Sequence, residues 1–239
     1  MKIRLAAIAL LAFAAAPLQA QFTPTGTSFG ALPVATFGGS GIPNTSVQLN
    51  TSIDGLSLGL SAAQRGTNVG VTDNGAGRFF ASPGNDLSVA PTAVPGYATW
   101  NFNFYVGGNV VGRYNYRLFY DFDAAVSNSV ASHGFVAITG TPNSTAAIQN
   151  SWNLGMGFLS SGLFGAAPTP NTFNPNSGGE YSFALIAYEK TGTGGLGYGS
   201  EVARSAIIVS TTTVPEPSTY VLMASGLVGL CVAHRRRNA

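Results

Sequence analysis

The chain has 239 residues, of which 45% are hydrophobic and 11% aromatic, which excludes a disordered polymer poor in core-forming side chains. Only 8% are charged, while glycine contributes 31 residues and proline 13, a balance that excludes an ordinary helical soluble domain and favours strands joined by tight turns. The formal charge of +2 comes from the ends: between residues 21 and 214 six basic residues stand against eight acidic ones, a net −2 with no basic cluster, which excludes nucleic acid as a partner.

The chain opens with Lys2 and Arg4, an almost wholly apolar run from Leu5 to Ala16, and then Pro17-Leu18-Gln19-Ala20 before Gln21. Cationic residues that stay in the cytoplasm, about twelve apolar residues and a small residue before the cut define a secretory signal peptide for the Sec translocon. Cleavage is predicted between Ala20 and Gln21, which makes residues 1–20 the leader and 21–213 an extracytoplasmic body. The only cysteine, Cys231, lies outside that body, so the body holds no disulfide and no thiolate metal site and must be stabilised by packing.

From Gln21 to about Gly112 the chain is rich in Gly, Ser, Thr, Asn and Pro, with turn signals at Gly38-Gly39, Asp54-Gly55, Asn74-Gly75 and Pro83-Gly84, and long loops are predicted there. Ala98, Trp100, Phe102, Phe104 and Val106 then alternate with Thr99, Asn101 and Asn103, the pattern of a half-buried strand. A second alternation follows at Tyr114, Tyr116, Leu118, Tyr120 and Phe122. Gly107-Gly108-Asn109 between them predicts a hairpin. Further strands are predicted at residues 134–138, 181–189 and 204–212, while residues 150–163 are ambiguous. Several strands without crossover helices predict an all-β body of antiparallel β-sandwich type.

Chemistry-bearing residues are sparse in this body. His133 is its only histidine, so a Ser-His-Asp or Cys-His arrangement has little to draw on, and its place before Gly134 predicts a turn residue. Asp121 and Asp123, two apart on one strand, share a face. They are candidates for a hard cation such as Ca²⁺, or else they end the strand and cap the turn that follows. Asp73-Asn74-Gly75 is predicted to be a plain turn. Tyr97, Tyr105 and Tyr188 are candidates for stacking on sugar rings, if exposed. No catalytic residue, cofactor or resident metal is predicted.

The end of the chain reads Val214-Pro215-Glu216-Pro217-Ser218-Thr219, then fourteen residues between Tyr220 and Ala233, then Arg235-Arg236-Arg237. The two prolines hold the backbone extended and remove two N–H donors, so neither a strand nor the next helix can absorb the motif and a protease can reach it. Fourteen helical residues rise only ~21 Å against a hydrocarbon core of ~30 Å, a marginal transmembrane segment whose arginine cluster stays cytoplasmic. This order and spacing over residues 214–239 resembles the PEP-CTERM sorting tail of Gram-negative bacteria. The resemblance implies recognition by exosortase, an integral membrane cysteine protease. It also implies a transient stay in the inner membrane and transfer to the cell surface or medium, often alongside exopolysaccharide.

Two functions are compatible with this reading. The favoured one is a non-enzymatic surface or matrix protein associated with exopolysaccharide and biofilm. The alternative is a secreted glycan-active hydrolase using carboxylate catalysis, which needs no histidine.

Overall fold

A strand with apolar residues at every second position needs a partner layer to cover that face. The computed structural model, which describes residues 21–67, 69–86, 95–139 and 146–211, provides it with two stacked sheets. The strands in chain order are β1 (Ser28–Gly30), β2 (Val47–Thr51), β3 (Ser57–Gln64), β4 (Thr72–Asp73), β5 (Arg78–Phe80) and β6 (Trp100–Gly107). They continue with β7 (Tyr114–Tyr120), β8 (Gly134–Thr139), β9 (Ile148–Trp152), β10 (Gly165–Ala166), β11 (Glu180–Thr191) and β12 (Gly197–Ser210). One sheet has the order β1-β2-β3-β6-β9 and the other β10-β8-β7-β11-β12-β5-β4. Every named pairing is antiparallel except the short parallel contact of β12 with β5. The all-β, sandwich-like expectation therefore holds. The leader 1–20 and the tail from residue 212, including its motif, its apolar segment and its arginines, lie outside the described residues.

The core lies between the sheets. Trp100, Phe102 and Phe104 enter it from β6, and Tyr116, Leu118, Tyr120, Phe183 and Leu185 meet them from β7 and β11. Phe102 stacks on Phe183 with centroids 4.6 Å apart, and Trp100 meets the same ring edge-on at 6.1 Å. Removing a side chain of this size from water contributes roughly 1.5–3 kcal/mol, so the alternating aromatics hold the two layers together.

The alternations at β6 and β7 were legible, but the predicted hairpin between them is corrected. β6 pairs with β3 and β9, whereas β7 pairs with β8 and β11 in the other sheet. Gly108, at φ +104°, lies so close to the Gly55 carbonyl that a Cβ would sit 2.0 Å from its oxygen. From there a 3-10 turn, Val111–Arg113, leads the chain across to the opposite layer instead of back along β6. The loop expectation for residues 21–112 holds for residues 31–46 but is incomplete, because six strands lie in that range, five of them before β6, among them the eight-residue β3 with six consecutive buried residues. The ambiguous stretch 150–163 divides into β9 and a helical turn, α1 (Gly157–Ser161), closed by Gly162 at φ +66°. The last strand begins at Gly197, seven residues before its predicted start.

Both outer faces are partly covered by loops. Ala35 and Phe37 pack with Val47 and Tyr105 over the five-stranded sheet, held by Thr36 and Phe37 N–H groups donating to Gln149 Oε1 at 2.9 and 2.8 Å. Tyr105 is thereby buried and is withdrawn as an exposed sugar-stacking candidate. On the seven-stranded sheet Phe22 packs with Ala184, Ile186 and Ala206, and Thr25 pairs with Ala206 along the edge of β12. Among the described residues no helix is long and apolar enough to cross a membrane.

Candidate functional site

The outward face of β7, β8, β11 and β12 carries a cluster of polar side chains and a row of rings. At one end of this face Asp121 follows β7, His133 precedes β8 and Ser182 lies on β11. The Asp121 carboxylate Oδ2 accepts from the Ser182 N–H at 3.1 Å, the Ser182 hydroxyl at 2.9 Å and the Asn128 amide at 3.3 Å. His133 Nε2 sits 2.6 Å from Ser182 Oγ and 3.1 Å from Asp121 Oδ2, while Nδ1 faces the Ser129 carbonyl at 3.0 Å and so carries a hydrogen. The expected turn residue is thus a buried hydrogen-bonding anchor as well as the cap of a 3-10 turn, Val130–Ser132.

The three residue types are those of a nucleophilic triad, but the wiring differs. A triad base uses one nitrogen for the serine and the other for the aspartate, whereas here both partners crowd Nε2. The His133 and Asp121 side chains are 0% and 1% exposed, and Phe22 lies edge-on over the imidazole at 5.2 Å. The group ties the loop 121–133 to β11. Asp123 is engaged separately, its Oδ1 accepting from the Ala125 N–H at 2.9 Å, as a residue that caps a turn does. Among the described residues no group of three or more His, Cys, Asp and Glu is placed to hold a metal ion. Asp73 likewise forms the predicted turn, accepting from the Gly75 N–H at 2.9 Å.

Farther along the same face lies a row of rings and guanidinium groups. Phe22 contacts Phe119 at 5.4 Å, Phe119 contacts Phe135 at 5.7 Å, and Tyr188 meets Tyr198 edge-to-face at 5.5 Å. The Arg117 guanidinium lies 4.0 Å from the Tyr198 ring centroid, 4.5 Å from that of Phe135 and 5.8 Å from that of Tyr188. Burial pushes the Tyr188 phenol up from its ordinary value, with Arg117 partly opposing it. Arg204 lies over Phe22 at 5.3 Å and pairs with Glu201 at 2.6 Å. An open pocket of about 440 Å³ is framed here by Phe22, Thr25, Phe119, Val130, Tyr188 and Arg204. Tyr188 is thus the sugar-stacking candidate that the fold leaves on this half-exposed face, whereas Tyr97 lies half-buried under Arg65 at 4.7 Å. Nothing in the sequence singles out Arg117 or Tyr198, although Arg117 occupies the outward phase of the alternation Tyr114 to Phe122.

The two ends of the described chain meet beside Glu180. Gln21 donates from Nε2 to Glu180 Oε2 at 3.1 Å and accepts the Ser127 N–H at 3.2 Å. Arg78 and the Ser210 hydroxyl reach Glu180 Oε1, and the buried Thr211 donates its N–H to the Gly179 carbonyl at 2.7 Å. The last described residue therefore leaves the body at the place where Gln21 enters it.

No curated protein and no solved structure matches the chain. Its tail does match a family model. Residues 213–237 carry the PEP-CTERM protein-sorting motif, which implies recognition by exosortase, export and membrane-associated sorting toward the cell surface.

Proposed function

We propose that the body is a non-catalytic cargo, exported through the Sec translocon, cut from its leader after Ala20, and delivered by exosortase to a surface or extracellular matrix rich in polysaccharide. The match of residues 213–237 to the sorting motif carries this reading. In this reading Pro215 and Pro217, which lack N–H donors, disfavour a strand or helix at the motif, and the short apolar segment with its arginines serves as the transient hold at the inner membrane. The crowding of Ser182 and Asp121 on one nitrogen of a buried His133 supports a structural rather than a catalytic role for that group.

Intact-mass measurement of the protein from medium and envelope, in hosts with and without exosortase, tests the delivery. A species beginning at Gln21 and ending near Pro217, present only with the protease, is expected. A full tail in both hosts would make the C-terminus a permanent anchor and end the proposal. Retention of the exported protein on the host's own exopolysaccharide tests the matrix half, and its absence would remove that half alone.

A further inference from the structure

We infer that Arg117, with Tyr188 and Tyr198, forms a subsite for a carboxylated polysaccharide on the outer face of the seven-stranded sheet. The inference rests on the polysaccharide reading above and names the class of sugar and the residues that meet it.

The first observation is a charge without a carboxylate. All eight acidic residues from position 21 to 211 are among the described residues, and the segments 68, 87–94 and 140–145 contain none. The ion pairs engage Arg65, Arg78, Arg113, His133 and Arg204. Lys190 donates to the Gly112 carbonyl at 2.8 Å. Arg117 has no carboxylate within pairing distance among the described residues, and its buried Nε has no hydrogen-bond acceptor there. A guanidinium half-removed from water without an anion is costly unless something else stabilises it.

The second observation is how it is held. Rings lie against the guanidinium at 4.0 and 4.5 Å, and such stacking satisfies its faces and fixes its orientation while leaving donors in its plane available. Those in-plane donors match the two oxygens of a carboxylate. Tyr188 and Tyr198 stand half-exposed at right angles beside it, offering an amphipathic surface to the apolar face of a sugar ring. The body has a net charge of −2 and no basic cluster, so this face meets an acidic chain through one guanidinium and one carboxylate at a time, with the rings beside it reading the sugar. Arg204 is already held by Glu201, so the anion preference falls on Arg117.

The test uses the exported protein recovered from its host, with polygalacturonate, its methyl ester and the host's own exopolysaccharide as probes. Polygalacturonate should be bound in a salt-sensitive manner, and the ester, with the same backbone and capped carboxylates, should be bound at least about tenfold more weakly. Arg117→Gln should lose the same factor for polygalacturonate at an unchanged unfolding midpoint. Arg117→Lys, which keeps the charge without the planar fork, should fall between, and it decides the matter if the glutamine variant does not fold. Equal binding of acid and ester, or an indifferent Arg117→Gln, overturns the inference and leaves the polysaccharide reading standing. Retention on the host polysaccharide with none on polygalacturonate does the same. Retention on none of the three removes both.

Discussion

Replacing Asp121 with alanine leaves the Ser182 N–H, the Ser182 hydroxyl and the Asn128 amide without their acceptor in a site closed to water. Buried donors deprived of a charged acceptor are expensive, and a loss of about 3 kcal/mol or more is expected. Asp123→Ala removes one turn hydrogen bond at a partly exposed position and should cost about 1 kcal/mol. Urea unfolding midpoints of the two variants check the contrast, and equal losses would mean that Asp121 is not the energetic hub of its hydrogen bonds. The residues of this cluster were visible in the sequence, but their meeting was not. Asp121, His133 and Ser182 lie up to 61 positions apart, and only the pairing of β11 with β7, Phe183 opposite Tyr120, brings them together. Composition can count one body histidine; it cannot supply a register.

At the level of elements, an alternation tells which residues face a core without telling from which side they approach it. β6 and β7 present the same pattern because they cover one core from opposite layers, so a hairpin and a crossover read alike. β3 lacks a readable alternation for another reason. Leu58, Leu60 and Ala62 alternate with Gly59, Ser61 and Ala63, and because the loop bearing Phe37 covers the outer face, both phases are buried and neither is polar enough to mark contrast. The crossing between layers is also where a pH effect is expected. Asp54, in the loop from β2 to β3, accepts hydrogen bonds from the Ser52 and Tyr114 hydroxyls, so it links that loop to the first residue of β7. The Ser52 hydroxyl first, then that of Tyr114, with smaller help from the Leu56 N–H and Arg113, holds the Asp54 carboxyl below its ordinary 3.8. A carboxyl whose folded value is depressed stabilises the fold fully above its unfolded value and loses that contribution as pH falls through the folded one. Asp54→Asn should therefore be less stable than the parent at about pH 6, with the gap closing below about pH 4. A gap that persists undiminished at about pH 3 would assign the loss to packing instead.

On the scale of the whole molecule, the two ends of the described body lie at one place on the sandwich. Gln21 and Thr211 both lie beside the Gly179-Glu180 turn, so the first and last described residues of the body sit together. The turn Thr193–Gly195 lies at the other ends of β11 and β12, and the start of β7, with the Asp54 loop bonded to it, lies at that far end too. Between the buried Thr211 and Tyr220 there are eight residues, which even fully extended reach only ~28 Å. In the proposed route the Pro215-Glu216-Pro217 motif therefore meets its protease within a short chain length of the buried Thr211, with Thr212 and Thr213 among the three residues between. Deleting both should slow exosortase processing and accumulate the tailed form, because a protease needs extended chain on both sides of the bond it cuts. Inserting about ten Gly and Ser residues after Thr211 should leave processing intact, since a flexible chain of that length itself spans about 17 Å on average. The ratio of tailed to cut protein, read by intact mass in the same host, measures both. If the deletion is processed as fast as the parent, either the protease tolerates the body at contact distance or the last strand peels away from Gly179 before cleavage. Thr211→Pro, which removes the N–H that Gly179 accepts, separates these by accelerating the cut only in the second case.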